Sequence, residues 1–126
     1  MINQVKRFLN GRTKSFGHAL RGVEYVVRSQ KNAWVHAMAT VMVVAAGIWT
    51  KLSAGEWCWM IAAIGAVWAA EAMNTALELL CDVAHPAFHP MIGRAKDAAA
   101  GAVLIVAVAA AAVGACVMWP HVFVAK

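Results

Sequence analysis

Charge is scarce in this chain. Of its 126 residues only 13% are Asp, Glu, Lys or Arg, against 63% hydrophobic, a balance outside the range of soluble domains. A water-soluble fold of this length leaves much of its surface in water and needs more polar residues than these to cover it. Lipid is therefore the expected solvent for most of the chain. Cysteine is rare as well: Cys58, Cys81 and Cys116 are odd in number, far apart and set among apolar or helical residues, so they read as small hydrophobes and not as a disulfide framework or a metal site. Also absent are a G-x-x-x-x-G-K-[ST] phosphate loop and the Gly-rich loop of protein kinases, so any nucleotide must be held without those devices.

The charge that is present is unevenly spread. Seven of the eleven Lys and Arg residues precede Asn32, at Lys6, Arg7, Arg12, Lys14, Arg21, Arg28 and Lys31. A formal charge of +5 could serve nucleic acid, but the basic segment runs directly into an apolar stretch and carries no zinc spacing. An anionic membrane surface suits it better, and no nucleic acid partner is expected. Within the segment Phe16, Leu20, Val23 and Val27 gather on one side of a helix while Lys14, Arg21 and Arg28 recur on another. The pattern predicts an amphipathic helix over about 5–31, with Ser15 as an N-cap, lying flat at the membrane interface. Such a helix is either an anchor or a lid.

Three apolar runs follow. Residues 32–50 are uncharged and bracketed by Lys31 and Lys51; at about 1.5 Å per residue they reach roughly 28 Å, close to a hydrocarbon core of about 30 Å. Residues 57–70 are uncharged, and helical sequence continues without Pro or Gly from Glu71 to Asp82, predicting a span over 57–82 that begins in lipid and ends in polar surroundings. Residues 98–119 predict a third, ended by Pro120. A cleaved signal peptide is the alternative for the first run, but the basic region and the apolar run are both too long for one, and two more spans follow. Arg94 and Lys96 lie between the second and third spans, against Lys51 in the 51–56 turn and Lys126 in the tail. By the positive-inside rule the N-terminus and 83–97 face the cytoplasm and the C-terminus faces out. The expected fold is a single all-α integral membrane domain over 1–126, a surface helix followed by three transmembrane helices.

The second span carries the chemistry. With residues about 100° apart, Asn74, Glu78 and Asp82 fall at about −60°, −20° and +20° from Glu71, so all four share one helix face. A carboxylate at the centre of a spanning helix costs about 2.5 to 3.5 kcal/mol, less toward the interface. These residues either hold helices together through buried polar contacts or form an acidic site at the cytoplasmic boundary. Such a site could bind a divalent cation and accept a proton, since a carboxylate short of water is a stronger base. Mg²⁺ uses one or two carboxylates with phosphate oxygens and water. Arg94, Lys96 and Asp97 sit at about the same depth, and acids for a cation facing cations for phosphate suit phosphoryl transfer. Placement at one end of the span argues against a transporter's ion path. His85 and His89 are four apart, but Pro86 and Pro90 break the helix that would make them a metal pair.

The string E-x-x-N-T-A-x-E-x-x-x-D from Glu71 to Asp82, followed by G-R-A-K-D at Gly93 to Asp97, resembles the prokaryotic diacylglycerol kinase family, which includes the undecaprenol kinase branch. The likeness runs from about Ser15 to Trp119 and includes Gly22 within ALRG. It implies an enzyme of the bacterial cytoplasmic (inner) membrane, acting as a homotrimer, that moves the γ-phosphoryl group of MgATP to a membrane lipid alcohol, diacylglycerol or undecaprenol. By match to the motif, Glu71 is implied as general base, Glu78 as Mg²⁺ ligand, Asn74 and Lys96 as substrate or phosphate contacts, and Asp97, Phe88, His89 and His18 as bordering the nucleotide. Asp82 and Arg94 support them. One departure stands out: where the family has a second metal-binding Glu near the end of the surface helix, this chain has Gln30, whose carbonyl can still ligate Mg²⁺ without bringing charge. A second expectation follows from it, that of a non-catalytic membrane assembly or regulatory subunit on the same scaffold.

Overall fold

The computed structural model describes residues 2–87 and 89–123, with side chains from residue 12 onward. Among these residues the chain is all-helical: α1 (Ile2–Ser29), α2 (Lys31–Thr50), α3 (Ala54–Ala84) and α4 (Pro90–Phe123). Three of them, α2, α3 and α4, are long and apolar enough to cross a membrane. At about 1.5 Å per residue α2 just matches a 30 Å core, whereas α3 and α4 exceed it by roughly 15 to 20 Å and must project beyond one boundary or tilt.

Helix α3 runs two to three residues beyond the expected 57–82 at each end, and α1 and α4 depart from expectation for local reasons. Helix α1 runs unbroken through Ser15, which is therefore not an N-cap; Lys, Arg and Leu upstream of it are good helix formers and extend the helix toward the N-terminus. Helix α4 begins at Pro90 and passes through Pro120 to Phe123, so 98–119 is only its middle. Pro90 suits a first helical position because the N–H it lacks would have no partner there, and the Met91 N–H donates to His89 Nδ1 at 3.2 Å, which caps the start. Pro120 removes one hydrogen bond from the last turns, where little helix remains to be disrupted. Arg94, Lys96 and Asp97 consequently stand on a helix and not in a loop.

Helix–helix contact is greatest between α3 and α4, which run antiparallel. Their far ends are tied by His121 Nε2 and Glu56 Oε1 at 2.8 Å, and Glu56 also completes the capping box that starts α3, accepting from the Ser53 N–H at 2.7 Å. Helices α2 and α3 meet through a tight turn in which Lys51 is left-handed at φ 57° and the Leu52 N–H bonds the Gly47 carbonyl at 3.1 Å. Gly47 is buried there, and a Cβ on it would fall 2.8 Å from Trp57 Cη2 and 3.0 Å from Leu52 Cδ1. Gly47→Ala should therefore push α2 and α3 apart and cost about 1–3 kcal/mol, read as a lowered thermal unfolding temperature in detergent.

Helix α1 contacts α2 and α3, and its packed positions are Val26, buried, and Val27, half-buried. Phe16, Leu20 and Val23 stay largely exposed, Phe16 at 70%. Within one chain, then, most of the apolar side of α1 meets no protein.

Candidate functional site

Three polar side chains are buried as deeply as the apolar Met60, or nearly so. They are Glu71, 1% exposed, and Thr75, 2% exposed, with Asn74 close behind. Thr75 is satisfied inside its own helix, its Oγ1 donating to the Glu71 carbonyl at 2.9 Å. Glu71 is not. Both of its carboxylate oxygens lack a hydrogen-bond partner, as do Asn74 Oδ1 and His36 Nε2. Buried polar groups in folded proteins are nearly always paired, and each exception calls for a cause such as a missing ligand or a catalytic role.

These groups converge on one cavity of about 250 Å³ between α2, α3 and α4. Asn32 and His36 line it from α2, Glu71, Asn74 and Glu78 from α3, and Val103 from α4. The shared helix face expected for Glu71, Asn74 and Glu78 is thus a shared cavity wall, and Asn74 Nδ2 donates to Glu78 Oε1 at 3.1 Å. Counting about 20 residues of hydrocarbon from Trp57, the boundary falls near residue 76. That count sets Glu71 roughly 8 Å inside the core and Glu78 at its edge.

The remaining expected residues scatter around this centre. Asp82 is exposed one turn beyond Glu78, and its carboxylate is paired with Lys96 of α4, joining the polar end of α3 to the first turns of α4. Asp97 and Arg94 are exposed on α4, Arg94 approaching Met91 Sδ at 4.0 Å. His89 is exposed with its ring 5.3 Å from that of His85, and among the described residues no group of three or more His, Cys, Asp or Glu could hold a metal by itself. His18 is exposed on α1 and bonded to Arg21 at 2.8 Å, while Glu24 pairs with Arg28 at 3.2 Å. Gln30 is the residue between α1 and α2, extended at φ −99°, ψ 125°, with no side-chain capping bond; it does not line the cavity, whose nearest lining residue in sequence is Asn32. Phe88 lies outside the described residues.

His36 had no place in the sequence reading. Its Nε2 stands 3.7 Å from Glu71 Oε2, and a lone His in an uncharged run gives no sign of which helix face it will meet. The one available signal was that a second polar group within a span needs a partner.

A model of the prokaryotic diacylglycerol kinase family matches residues 17–118. The chain is 37% identical over 118 residues to the undecaprenol kinase of Bacillus subtilis, covering 94% of this chain and 93% of that one. It is 36% identical over 107 residues to a diacylglycerol kinase of Synechocystis, covering 84% of this chain and 61% of the relative. To the diacylglycerol kinase of Escherichia coli K12 it is 25% identical over 116 residues, covering 86% of this chain and 95% of the relative.

Proposed function

This chain belongs to the prokaryotic diacylglycerol kinase family and is a membrane lipid kinase, and from that premise we propose that the cavity between α2, α3 and α4 is where the γ-phosphoryl group of ATP passes to a lipid hydroxyl. The observation that carries the proposal is Glu71: a carboxylate 1% exposed, with no hydrogen bond to either oxygen, which the residue count along α3 sets near the edge of the hydrocarbon region. A structural carboxylate at that depth would be bonded. An unbonded one has acceptor capacity for an incoming hydroxyl.

In the proposed reaction Glu71 accepts the hydroxyl proton as the lipid oxygen bonds the γ-phosphorus and the bond from that phosphorus to the β–γ bridging oxygen breaks, releasing ADP. Asn74 holds the Glu78 carboxylate in place through its Nδ2 and offers its unpaired Oδ1 to the substrate. Lys96 balances phosphate charge on turning from Asp82, and Arg94 supports it from the same end of α4. Asp97, His89 and His18 border the nucleotide.

The donor set fits Mg²⁺. Glu78 offers hard carboxylate oxygens at the cavity wall, and this ion takes few protein ligands and completes its shell from phosphate and water. Glu78 would hold it, with Gln30, which stands outside the cavity wall in the single chain, turning in as a neutral second ligand, and its chemistry would be to screen the triphosphate charge. Gln30→Glu is accordingly expected to lower the Mg²⁺ concentration for half-maximal activity by about 3- to 10-fold, read from initial rates across a magnesium titration.

The protein would lie in a bacterial inner membrane with its N-terminus and the α3–α4 junction cytoplasmic and its C-terminus outside. Helix α1, with Phe16, Leu20 and Val23 unburied by its own chain, would rest as an amphipathic helix at the cytoplasmic interface. Three copies would assemble, with neighbours closing the cavity. The decisive assay offers the purified protein labelled MgATP with dioleoylglycerol and undecaprenol in competition; label in either lipid supports the kinase site, and label in neither overturns it.

A further inference from the structure

His36 stands between two spaces. On one side is the polar cavity that it shares with Glu71, Asn74 and Glu78. On the other is an apolar cavity of about 480 Å³, which it lines together with Thr40, Met60, Ile64, Val67 and Met118 among others. Residues of α2, α3 and α4 contribute to both, so the imidazole sits where an apolar chain in the larger space would meet the proton acceptor in the smaller one.

The side chain is held there. The Trp68 ring meets the His36 ring edge-on, at 67° and 6.3 Å between centroids. Trp68 Nε1 donates to Thr40 Oγ1 at 3.2 Å, and that hydroxyl donates to the His36 carbonyl at 2.7 Å. These contacts pin one turn of α2 against α3 and leave His36 Nε2 facing Glu71 Oε2 across 3.7 Å. Both atoms are buried and neither has a hydrogen bond. The gap is too long for a direct bond and is closed by a small shift or by a hydroxyl inserted between the two.

We infer that His36 is a positioning residue for the acceptor hydroxyl: its Nε2–H orients Glu71 and the lipid oxygen toward each other, with the apolar remainder of the lipid directed into the neighbouring cavity. This deepens the kinase assignment and rests on Glu71 as proton acceptor. No proton is lost or gained by His36 in the reaction; it supplies one hydrogen bond that is strongest when the hydroxyl is in place. A hydrogen bond to a charged group of this kind corresponds to about 10- to 100-fold in rate.

The test compares His36→Leu and His36→Gln with the natural protein in mixed micelles, measuring kcat, KM for MgATP, KM for the lipid and thermal unfolding, with dioleoylglycerol and undecaprenol as the lipids. The Gln amide nitrogen reaches close to where Nε2 lies. The expected result is a 10- to 100-fold loss of kcat in His36→Leu, recovery to within a few-fold in His36→Gln, and an unchanged KM for MgATP in both. If His36→Leu does not fold, His36→Asn, whose shorter amide stops short of Glu71, replaces it with the same expectation. Full activity in the Leu variant would overturn the inference, as would equal loss in Leu and Gln, or a loss that tracks the unfolding temperature. Absence of transfer by the natural protein is a different failure, since it removes the kinase site itself.

Discussion

Glu71→Gln is expected to abolish lipid phosphorylation, with a loss of at least about 100-fold and up to 10,000-fold, the span general-base catalysis usually covers, while MgATP still binds. The substitution keeps shape and volume and removes only the capacity to take a proton. Glu71 makes no hydrogen bond that Gln would break, and the amide can face His36 Nε2 across the same 3.7 Å. Its removal should therefore not loosen α3 from α2. The opposite sign is expected: a buried carboxylate that makes no hydrogen bond and faces only His36 Nε2, at 3.7 Å, costs stability, so the amide should leave the unfolding temperature unchanged or raise it. A gain in stability with a loss of turnover separates a catalytic carboxylate from a structural one. Calorimetry with MgATP and a labelled-phosphate assay on the same preparation measure both, and loss of nucleotide binding together with turnover would remove Glu71 from the role of base.

What the sequence revealed and what it hid divide along a physical line. Properties carried by one helix were legible. Glu71, Asn74 and Glu78 share a face because 3.6 residues make a turn, and that face became one wall of the cavity. The three apolar runs were likewise visible as spans, since length and hydropathy are local quantities. Relations between helices were not. His36 meets Glu71 only because the Gly47–Leu52 turn and the Trp68–Thr40 bond fix how α2 lies on α3, and periodicity within either helix is silent about that. Lys96 was expected near phosphate, but its pairing with Asp82 became visible only once α4 was known to start at Pro90. The apolar stripe of α1 was legible as a pattern, whereas Val26, which the chain buries instead, lies off that stripe. Proline was the least reliable guide: Pro120 falls inside a helix because near a terminus it removes a single bond.

Glu78→Gln carries the second large effect, and its signature differs from that of Glu71→Gln. The amide still presents an oxygen to Asn74 Nδ2, so the 3.1 Å bond to Asn74 and the cavity wall survive. What goes is the negative charge at the membrane edge. Loss of an outer-shell partner alone typically costs 10- to 100-fold in metal affinity, and loss of a direct anionic ligand should exceed that, the more so because the proposed second ligand, Gln30, is already neutral. Turnover at about 1 mM Mg²⁺ should therefore fall by roughly 100-fold or more and recover in part as magnesium is raised, because the phosphates can still recruit the ion. No magnesium concentration should rescue Glu71→Gln. Titrating both variants side by side makes the contrast the measurement, and a Glu78→Gln protein with the natural magnesium dependence would mean that the ion is held elsewhere.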